Sequence, residues 1–320
     1  MAYRAPWWLP GGNLQTLYAA LLTRTGPAPA FSRERWETPD GDFVDVDWVP
    51  GPHSAPLVVL FHGLEGGSGS HYVRTLAAEV SRLGWRCAAP HFRGCSGVAN
   101  RLARAYHSGD SAEVGWMIRR FAERAGDGPL AAVGVSLGGN AMLKWLGERG
   151  AAAPVRCAVA VSAPLDLPAS GNCLGSGFNR VYTRAFLATL KRKSAEKARR
   201  FPGLFDAEAA RRSRTLREFD DAVTAPLHGF RDAEHYWNNS SAKPWLASIG
   251  VPTLLLNARN DPFLPAAALP DAQQVSSSVE REFPAEGGHV GFVSGRFPGD
   301  FAWFRERIIS FIREHLQQRT

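Results

Sequence analysis

The chain has 320 residues, 45% of them apolar and 21% charged, with a formal net charge of +7. That is the profile of an ordinary globular chain, long enough for a large core or for a core with one insertion. The longest clean apolar run near the start, Leu17 to Leu22, is too short for a signal-peptide core, and no stretch reaches the ~18 apolar residues of a spanning helix. A soluble, cytoplasmic protein is expected. Cys87, Cys95, Cys157 and Cys173 stand at irregular spacing with no C-x-x-C pair and no zinc-like Cys/His cluster, so reduced thiols are expected and no metal is called for. The positive charge is local: twelve basic residues fall between Arg180 and Arg217. This stretch reads as a solvated helical face, with an anion-binding surface as the alternative.

Taken in chain order, residues 1–30 are rich in Pro, Gly and Trp and read as an irregular arm, with Trp7 and Trp8 packed on the main body. Arg33–Thr38 and Phe43–Trp48 alternate around Pro39-Asp40-Gly41-Asp42, a hairpin signal, and are expected as two antiparallel edge strands. Buried strands are then predicted at Leu57–Phe61, Arg86–Pro90, Leu130–Val135 and Val155–Ser162. Helices are predicted between them at His71–Leu83, Ser111–Arg124 and Leu137–Glu148, the second capped by Ser108 or Asp110. Alternation of this kind implies a parallel sheet covered by helices on both faces. From about Leu165 to Lys243 no buried strand is legible, and the segment reads as an inserted helical lid. Strands resume at Val251–Asn257 and Val279–Phe283, with a helical or loop piece over Phe263–Val275 between them, and a helix from about Asp300 to Gln317 closes the chain. The expected organisation is a core of residues 1–164 and 244–320 with a lid of residues 165–243.

The sequence G-x-S-x-G occurs at Gly134-Val135-Ser136-Leu137-Gly138, with an apolar strand before it and a helix-forming run after it. That strand–turn–helix context is what a nucleophile elbow needs: side chains at 134 and 138 would collide, and the helix N-terminus puts the Leu137 N–H near a developing oxyanion. A serine needs a base and an orienting acid. His289 lies in Gly287-Gly288-His289-Val290-Gly291 after the last strand, flanked by small residues. His315 falls inside a helix, and His228 and His235 fall in the lid, where they could line substrate. The acid is Asp261, just past a strand end and followed by Pro262, with Asp166 as its rival. The loop His62-Gly63-Leu64-Glu65-Gly66-Gly67 offers the Leu64 N–H as a second oxyanion donor. No phosphate-binding or dinucleotide motif fits the chain. Arg93-Gly94-Cys95-Ser96-Gly97 reads as a tight loop whose Arg93 could help fix the site, and Tyr106-His107-Ser108-Gly109-Asp110 as helix capping. In the lid, Phe178, Tyr182, Phe186, Leu187 and Leu190 recur near helical spacing, first as core and second as an acyl-chain wall.

With these residues assembled, the chain resembles the YheT-like branch of the α/β-hydrolases, related to animal abhydrolase-domain lipases. The resemblance is carried by Trp8–Thr16, His62–Gly66, His91–Gly97, Tyr106–Gly109, the elbow, Asn260–Phe263 and Gly287–Phe292, in that order. It implies an α/β-hydrolase fold with a mostly parallel sheet of about eight strands and an inserted helical lid. It also implies an esterase or lipase with a Ser–Asp–His triad on Ser136, Asp261 and His289. Asn13 stands where many relatives carry His. The expected reaction is ester cleavage through an acyl-enzyme, without cofactor, on a small-molecule or lipid ester. Acyl transfer or perhydrolysis by the same triad, and a binding module without turnover, are the alternatives. Nucleic acid is not expected as a partner; weak contact of the basic lid with anionic membrane is a lesser alternative to a solvated face.

Overall fold

The computed structural model describes residues 2–23 and 29–317. Its centre is an eight-stranded sheet in the order β1-β2-β4-β3-β5-β6-β7-β8. The hairpin β1 (Ser32–Glu37) and β2 (Phe43–Val49) is antiparallel, and β2 runs antiparallel to β4 (Arg86–Pro90). Of the hairpin strands only β1 is therefore an edge; β2 is paired on both sides, which corrects the expectation that both would be edge strands. From β4 onward all pairs are parallel: β3 (Leu57–Phe61), β5 (Leu130–Val135), β6 (Cys157–Val161), β7 (Thr253–Leu256) and β8 (Val279–Glu282).

Strands β3 to β6 are buried along their whole length, which is why β3, β5 and β6 read in sequence as unbroken apolar runs. Helices α3 (Ser111–Ala125) and α4 (Leu137–Arg149) cover one face, with Met117, Phe121, Met142 and Leu146 in its core. Helices α2 (His71–Arg82) and α11 (Ala302–Gln317) cover the other, with Leu76, Val80, Ile308 and Ile312. Burying a side chain of this kind is worth about 1.5–3 kcal/mol, so both apolar faces contribute heavily to holding the sheet.

The first stretch of chain is not irregular throughout. A ten-residue helix, α1 (Gly12–Leu21), lies against the loop at residue 260, so closely that a Cβ on Gly12 would stand 1.9 Å from the Asn260 carbonyl oxygen. Glycine at 12 serves this approach and does not signal a break. Residues 24–28 of the expected arm lie outside the described residues. Trp8 packs against Tyr18 and Phe297, while Trp7, pointing the other way, is 91% exposed, contrary to expectation.

Between β6 and β7 the chain runs through α5 (Leu167–Leu174), α6 (Arg180–Arg200), α7 (Ala207–Arg212), α8 (Leu216–Phe219), a π-helical turn (Asp220–Thr224), α9 (Ala225–His228) and α10 (Ala233–Ser240). The basic residues of α6 are not uniformly solvated. Lys193 pairs with Glu65 at 2.8 Å; Lys197 donates to Asn100 Oδ1 and to the Leu102 and Arg104 carbonyls; Arg200 donates to the Asn100 and Arg101 carbonyls. Burial pushes the Lys197 ammonium down to about 8. Arg184, Arg192 and Arg199 remain exposed. Three of this helix's eight basic residues thus fasten it to Glu65 and to residues 100–104, a use that charge count alone does not reveal.

Candidate active site

Ser136 sits between β5 and α4 at φ 52°, ψ −123°, a region that costs a non-glycine residue of order 1–3 kcal/mol and persists only when its surroundings impose it. Those surroundings are backbone. A Cβ on Gly138 would stand 2.5 Å from the His62 carbonyl oxygen, and one on Gly134 would stand 2.7 Å from the Gly138 oxygen. The collision expected at 134 and 138 is therefore real, and at 138 the obstacle is the end of β3. The Ser136 side chain caps no N–H of α4, which leaves its hydroxyl free for other work.

The structure brings Ser136, His289 and Asp261 into one hydrogen-bonded chain. Ser136 Oγ lies 3.0 Å from His289 Nε2, and His289 Nδ1 lies 3.0 Å from Asp261 Oδ2 and 3.2 Å from Oδ1. With Nδ1–H donating to the carboxylate, Nε2 is left as the acceptor for the serine proton. Asp261 is 5% exposed and also accepts the Phe263 N–H at 2.8 Å. The Phe263 ring stacks on the imidazole with centroids 4.0 Å apart. Asp166, the rival acid, caps α5 by accepting the Ala169 N–H at 3.0 Å.

The loop after β3 is held against the serine. A Cβ on Gly63 would lie 3.0 Å from Ser136 Cβ and 3.5 Å from its Oγ. His62 Nδ1 donates to the Gly63 carbonyl at 2.7 Å and its Nε2 accepts the Phe92 N–H at 3.1 Å; burial pushes its pKa down to about 3, so it stays neutral. Tyr72 Oη accepts the Gly63 N–H at 2.8 Å, and Tyr106 Oη accepts the Glu65 N–H at 2.9 Å while donating to Glu65 Oε1. Leu64 lies between these anchors, and Leu137 is the first residue of α4, where N–H groups have no partner inside the helix. Both residues line the cavity that contains Ser136 and His289.

Three residues that sequence reasoning did not single out individually hold the loop that carries His289. Thr16 Oγ1 accepts the His289 N–H at 2.8 Å. Gln15, fully buried, accepts the Gly287 N–H at 2.8 Å and the Asn260 amide at 3.0 Å, while Asn260 Oδ1 accepts the Gly288 N–H at 2.9 Å. Their signal was the Gln15-Thr16 end of the first shared segment. Asn13, the departure from relatives, accepts the Tyr182 hydroxyl at 3.0 Å and so ties α1 to α6.

Other expected residues fall elsewhere. His228 is half-buried against His107, with ring centroids 4.4 Å apart, and His235 accepts the Arg231 N–H at 3.2 Å; His315 bonds to the Phe311 carbonyl along α11. Arg93 is buried and ties Asp40 and Asp42 of the hairpin to Glu113 of α3. Asp110 does not cap α3: its carboxylate pairs with Arg104 at 2.6 Å, and Ser108 uses its backbone, receiving from Asn140 and donating to Tyr236. Arginine outcompetes a backbone N–H for a buried carboxylate.

The cavity measures about 430 Å³, and Phe186, Leu190, Leu174, Leu216 and Trp237 of the helical insertion line it. Of the aromatic and aliphatic series expected at helical spacing, Phe186 and Leu190 of α6 thus face the cavity, Tyr182 and Leu187 are core, and Phe178, in the turn before α6, is 55% exposed. Among the described residues, no group of three or more His, Cys, Asp or Glu is placed to hold a metal ion, and no helix is long and apolar enough to cross a membrane.

A doubly covered, mostly parallel sheet with a strained serine at a strand–helix turn, met by a histidine and a carboxylate from later loops, defines an α/β-hydrolase. The family model for the alpha/beta hydrolase fold matches residues 56–295. The chain belongs to this esterase- and lipase-type family, in its YheT-like branch. It is 39% identical over 313 residues to "Putative esterase YheT" of Escherichia coli (strain K12), across 96% of this chain and 92% of that protein. It is 29% identical to "Phospholipase ABHD3" of Mus musculus, across 89% of this chain and 71% of that protein. Among solved structures, an esterase from Exiguobacterium antarcticum superposes with a TM-score of 0.55 at 17% identity, over 90% of this chain and all of that one, a likeness of fold.

Proposed function

We propose that this protein is a serine hydrolase that cleaves carboxylic esters through an acyl-enzyme on Ser136, acting on short- to medium-chain or lipid esters. The observation that carries the reading is the relay Ser136–His289–Asp261, with both contacts at 3.0 Å. Ser136 Oγ attacks the ester carbonyl as His289 Nε2 takes its proton. The same proton passes to the leaving alcohol, and His289 then activates water to release the acid. Asp261 stays ionised and holds the imidazole tautomer. The N–H groups of Leu64 and Leu137 receive the oxyanion, a contribution of about 10²–10³ in turnover per donor in enzymes of this kind. A cavity of about 430 Å³ with mostly aliphatic and aromatic walls suits an apolar acyl chain. Similarity to an esterase-type and a phospholipase relative supports the same reaction class.

The test is Ser136→Ala, assayed on p-nitrophenyl butyrate and with a fluorophosphonate probe. Both ester cleavage and labelling are expected to disappear while the melting temperature holds. Unchanged hydrolysis in that variant overturns the reading.

A further inference from the structure

The loop after β3 carries three successive N–H groups beside Ser136, and two of them are taken. Gly63 donates to Tyr72 Oη at 2.8 Å and Glu65 donates to Tyr106 Oη at 2.9 Å. The Leu64 N–H between them meets no acceptor among the described residues, and Leu64 lines the cavity with Ser136 and His289. The donor left for an oxyanion is thus the one the loop does not use itself, and its aim depends on how its neighbours are held.

Glu65 is held under strain. It stands at φ 56°, in the left-handed region, without being a glycine, and such a conformation persists only where the surroundings impose it. Two side chains do so. Tyr106 closes a ring with the residue, accepting its N–H and donating to its Oε1 at 2.8 Å, and the tyrosine ring is itself stacked on Phe92 with centroids 5.4 Å apart. Lys193, from α6, donates to the same Oε1 at 2.8 Å, and its Nζ lies 3.6 Å from Cys95 Sγ. The Glu65 side chain is only 9% exposed, so its charge is largely withdrawn from water, where an ion pair counts for more than on the open surface.

Tyr106 belongs to the core, whereas Lys193 belongs to the helical insertion. Without the ammonium, the carboxylate keeps a single neutral donor for a charge that water scarcely reaches. It must then turn outward or take up a proton, and either change relaxes the strained residue next to Leu64. A shift of about 1 Å in a catalytic group can cost on the order of 10²-fold in rate. The same helix carries Tyr182, whose hydroxyl donates to Asn13 of α1, three turns or about 16 Å from Lys193. One helix therefore reaches both the element that holds the His289 loop and the loop that holds Leu64. Resting on the reading of Ser136 as nucleophile and Leu64 as oxyanion donor, we propose that Lys193 is a positioning residue: through Glu65 it aims the Leu64 N–H, so that the oxyanion site is complete only with α6 in place.

The test compares the full chain with Lys193→Met, which keeps the stem and loses the charge, and with Lys193→Arg. Active sites are counted by titration to completion with a fluorophosphonate, so that inactive protein does not enter the rate. On p-nitrophenyl butyrate, Lys193→Met should lower kcat per site at least about tenfold, part of the ~10²–10³ that one oxyanion donor supplies, with KM within about threefold of wild type. Butyl trifluoromethyl ketone supplies the second readout: Ser136 Oγ adds to its carbonyl carbon, the serine proton passes to His289, and the ketone oxygen becomes the oxyanion. As a mimic of the transition state, it should bind Lys193→Met more weakly by about the factor lost in kcat. Lys193→Arg should bring both values back to within about threefold of wild type. If Lys193→Met melts too low to titrate, Glu65→Gln decides in its place and should change both values in the same directions by at least about threefold. Wild-type kcat per site, a lower kcat with unchanged ketone affinity, or an arginine variant as impaired as the methionine one overturns the proposal. The Ser136 reading survives each of these results, because the sites still titrate with the probe. A wild type that neither cleaves the ester nor takes the probe removes that reading, and this inference falls with it.

Discussion

Replacing Thr16 by valine removes one oxygen and keeps the shape of the side chain. That oxygen accepts the His289 N–H at 2.8 Å and donates to the Gly12 carbonyl at 2.7 Å. In the variant the His289 N–H faces a methyl group. Leaving such a group unpaired costs about 1–3 kcal/mol. The loop can instead shift to find another acceptor, and Nε2 then leaves its 3.0 Å contact with Ser136 Oγ. In that case the cost appears in the chemical step, where each 1.36 kcal/mol is about tenfold. The expected result for Thr16→Val is a kcat on p-nitrophenyl butyrate lower by about 10- to 100-fold, with KM within about threefold of wild type. Thr16→Ser keeps the hydroxyl and should restore kcat to within about threefold. A valine variant with wild-type kcat refutes the argument. So does a serine variant as impaired as the valine one, because that would trace the loss to packing and not to the acceptor.

Three further outcomes are expected. Gly138→Ala forces a Cβ to 2.5 Å from the His62 oxygen and 2.8 Å from the Phe61 carbonyl carbon; with backbone on both sides the elbow must open, so activity should vanish and the melting temperature drop, and a fully active, normally melting variant would contradict this. Arg93→Met strands the buried Glu113 carboxylate, a loss of about 3–5 kcal/mol by analogy with broken buried ion pairs; an unshifted urea midpoint would count against it. For Asp220, burial raises the carboxyl to about 6 from 3.8, so the native state keeps its proton longer than the unfolded chain. Stability is then present below about pH 4 and lost as pH rises through about 6, by at most about 3 kcal/mol and less to the extent that the cavity admits water. Asp220→Asn should therefore melt higher than wild type at pH 7.5 and alike at pH 4, whereas a gap that does not change with pH would rule the linkage out.

Much of the fold was legible because its strands are buried on both faces. Leu57–Phe61 and Leu130–Val135 coincide with the observed strands to the residue, since a strand parallel to both neighbours has no polar face to blur its ends. Ser136, Asp261 and His289 were legible because a strained turn, a strand end and a glycine-flanked loop each demand particular residue types. What hid from sequence were features whose reason lies across the fold. Helix α1 was read as irregular because Gly11 and Gly12 depress helix propensity, yet its polar Gln15 and Thr16 are buried against loops 270 residues away, a tertiary gain that outweighs propensity. Asp110 looked like a cap because nothing local announces Arg104 as its competitor. The basic run looked solvated because the carbonyls at 100–104 that accept from Lys197 and Arg200 carry no sequence signature.

The bond from Thr16 to His289 spans 273 positions, and that from Gln15 to Gly287 spans 272. A ribosome completes residues 12–16 long before it reaches the loop they orient. Until then the serine can sit on its finished turn between β5 and α4, but no imidazole is aligned beside it. Alignment of the imidazole therefore waits until the loop at 287–289 has been made and the two distant stretches meet, and a chain interrupted before Gly287 carries the elbow without the histidine that stands beside it.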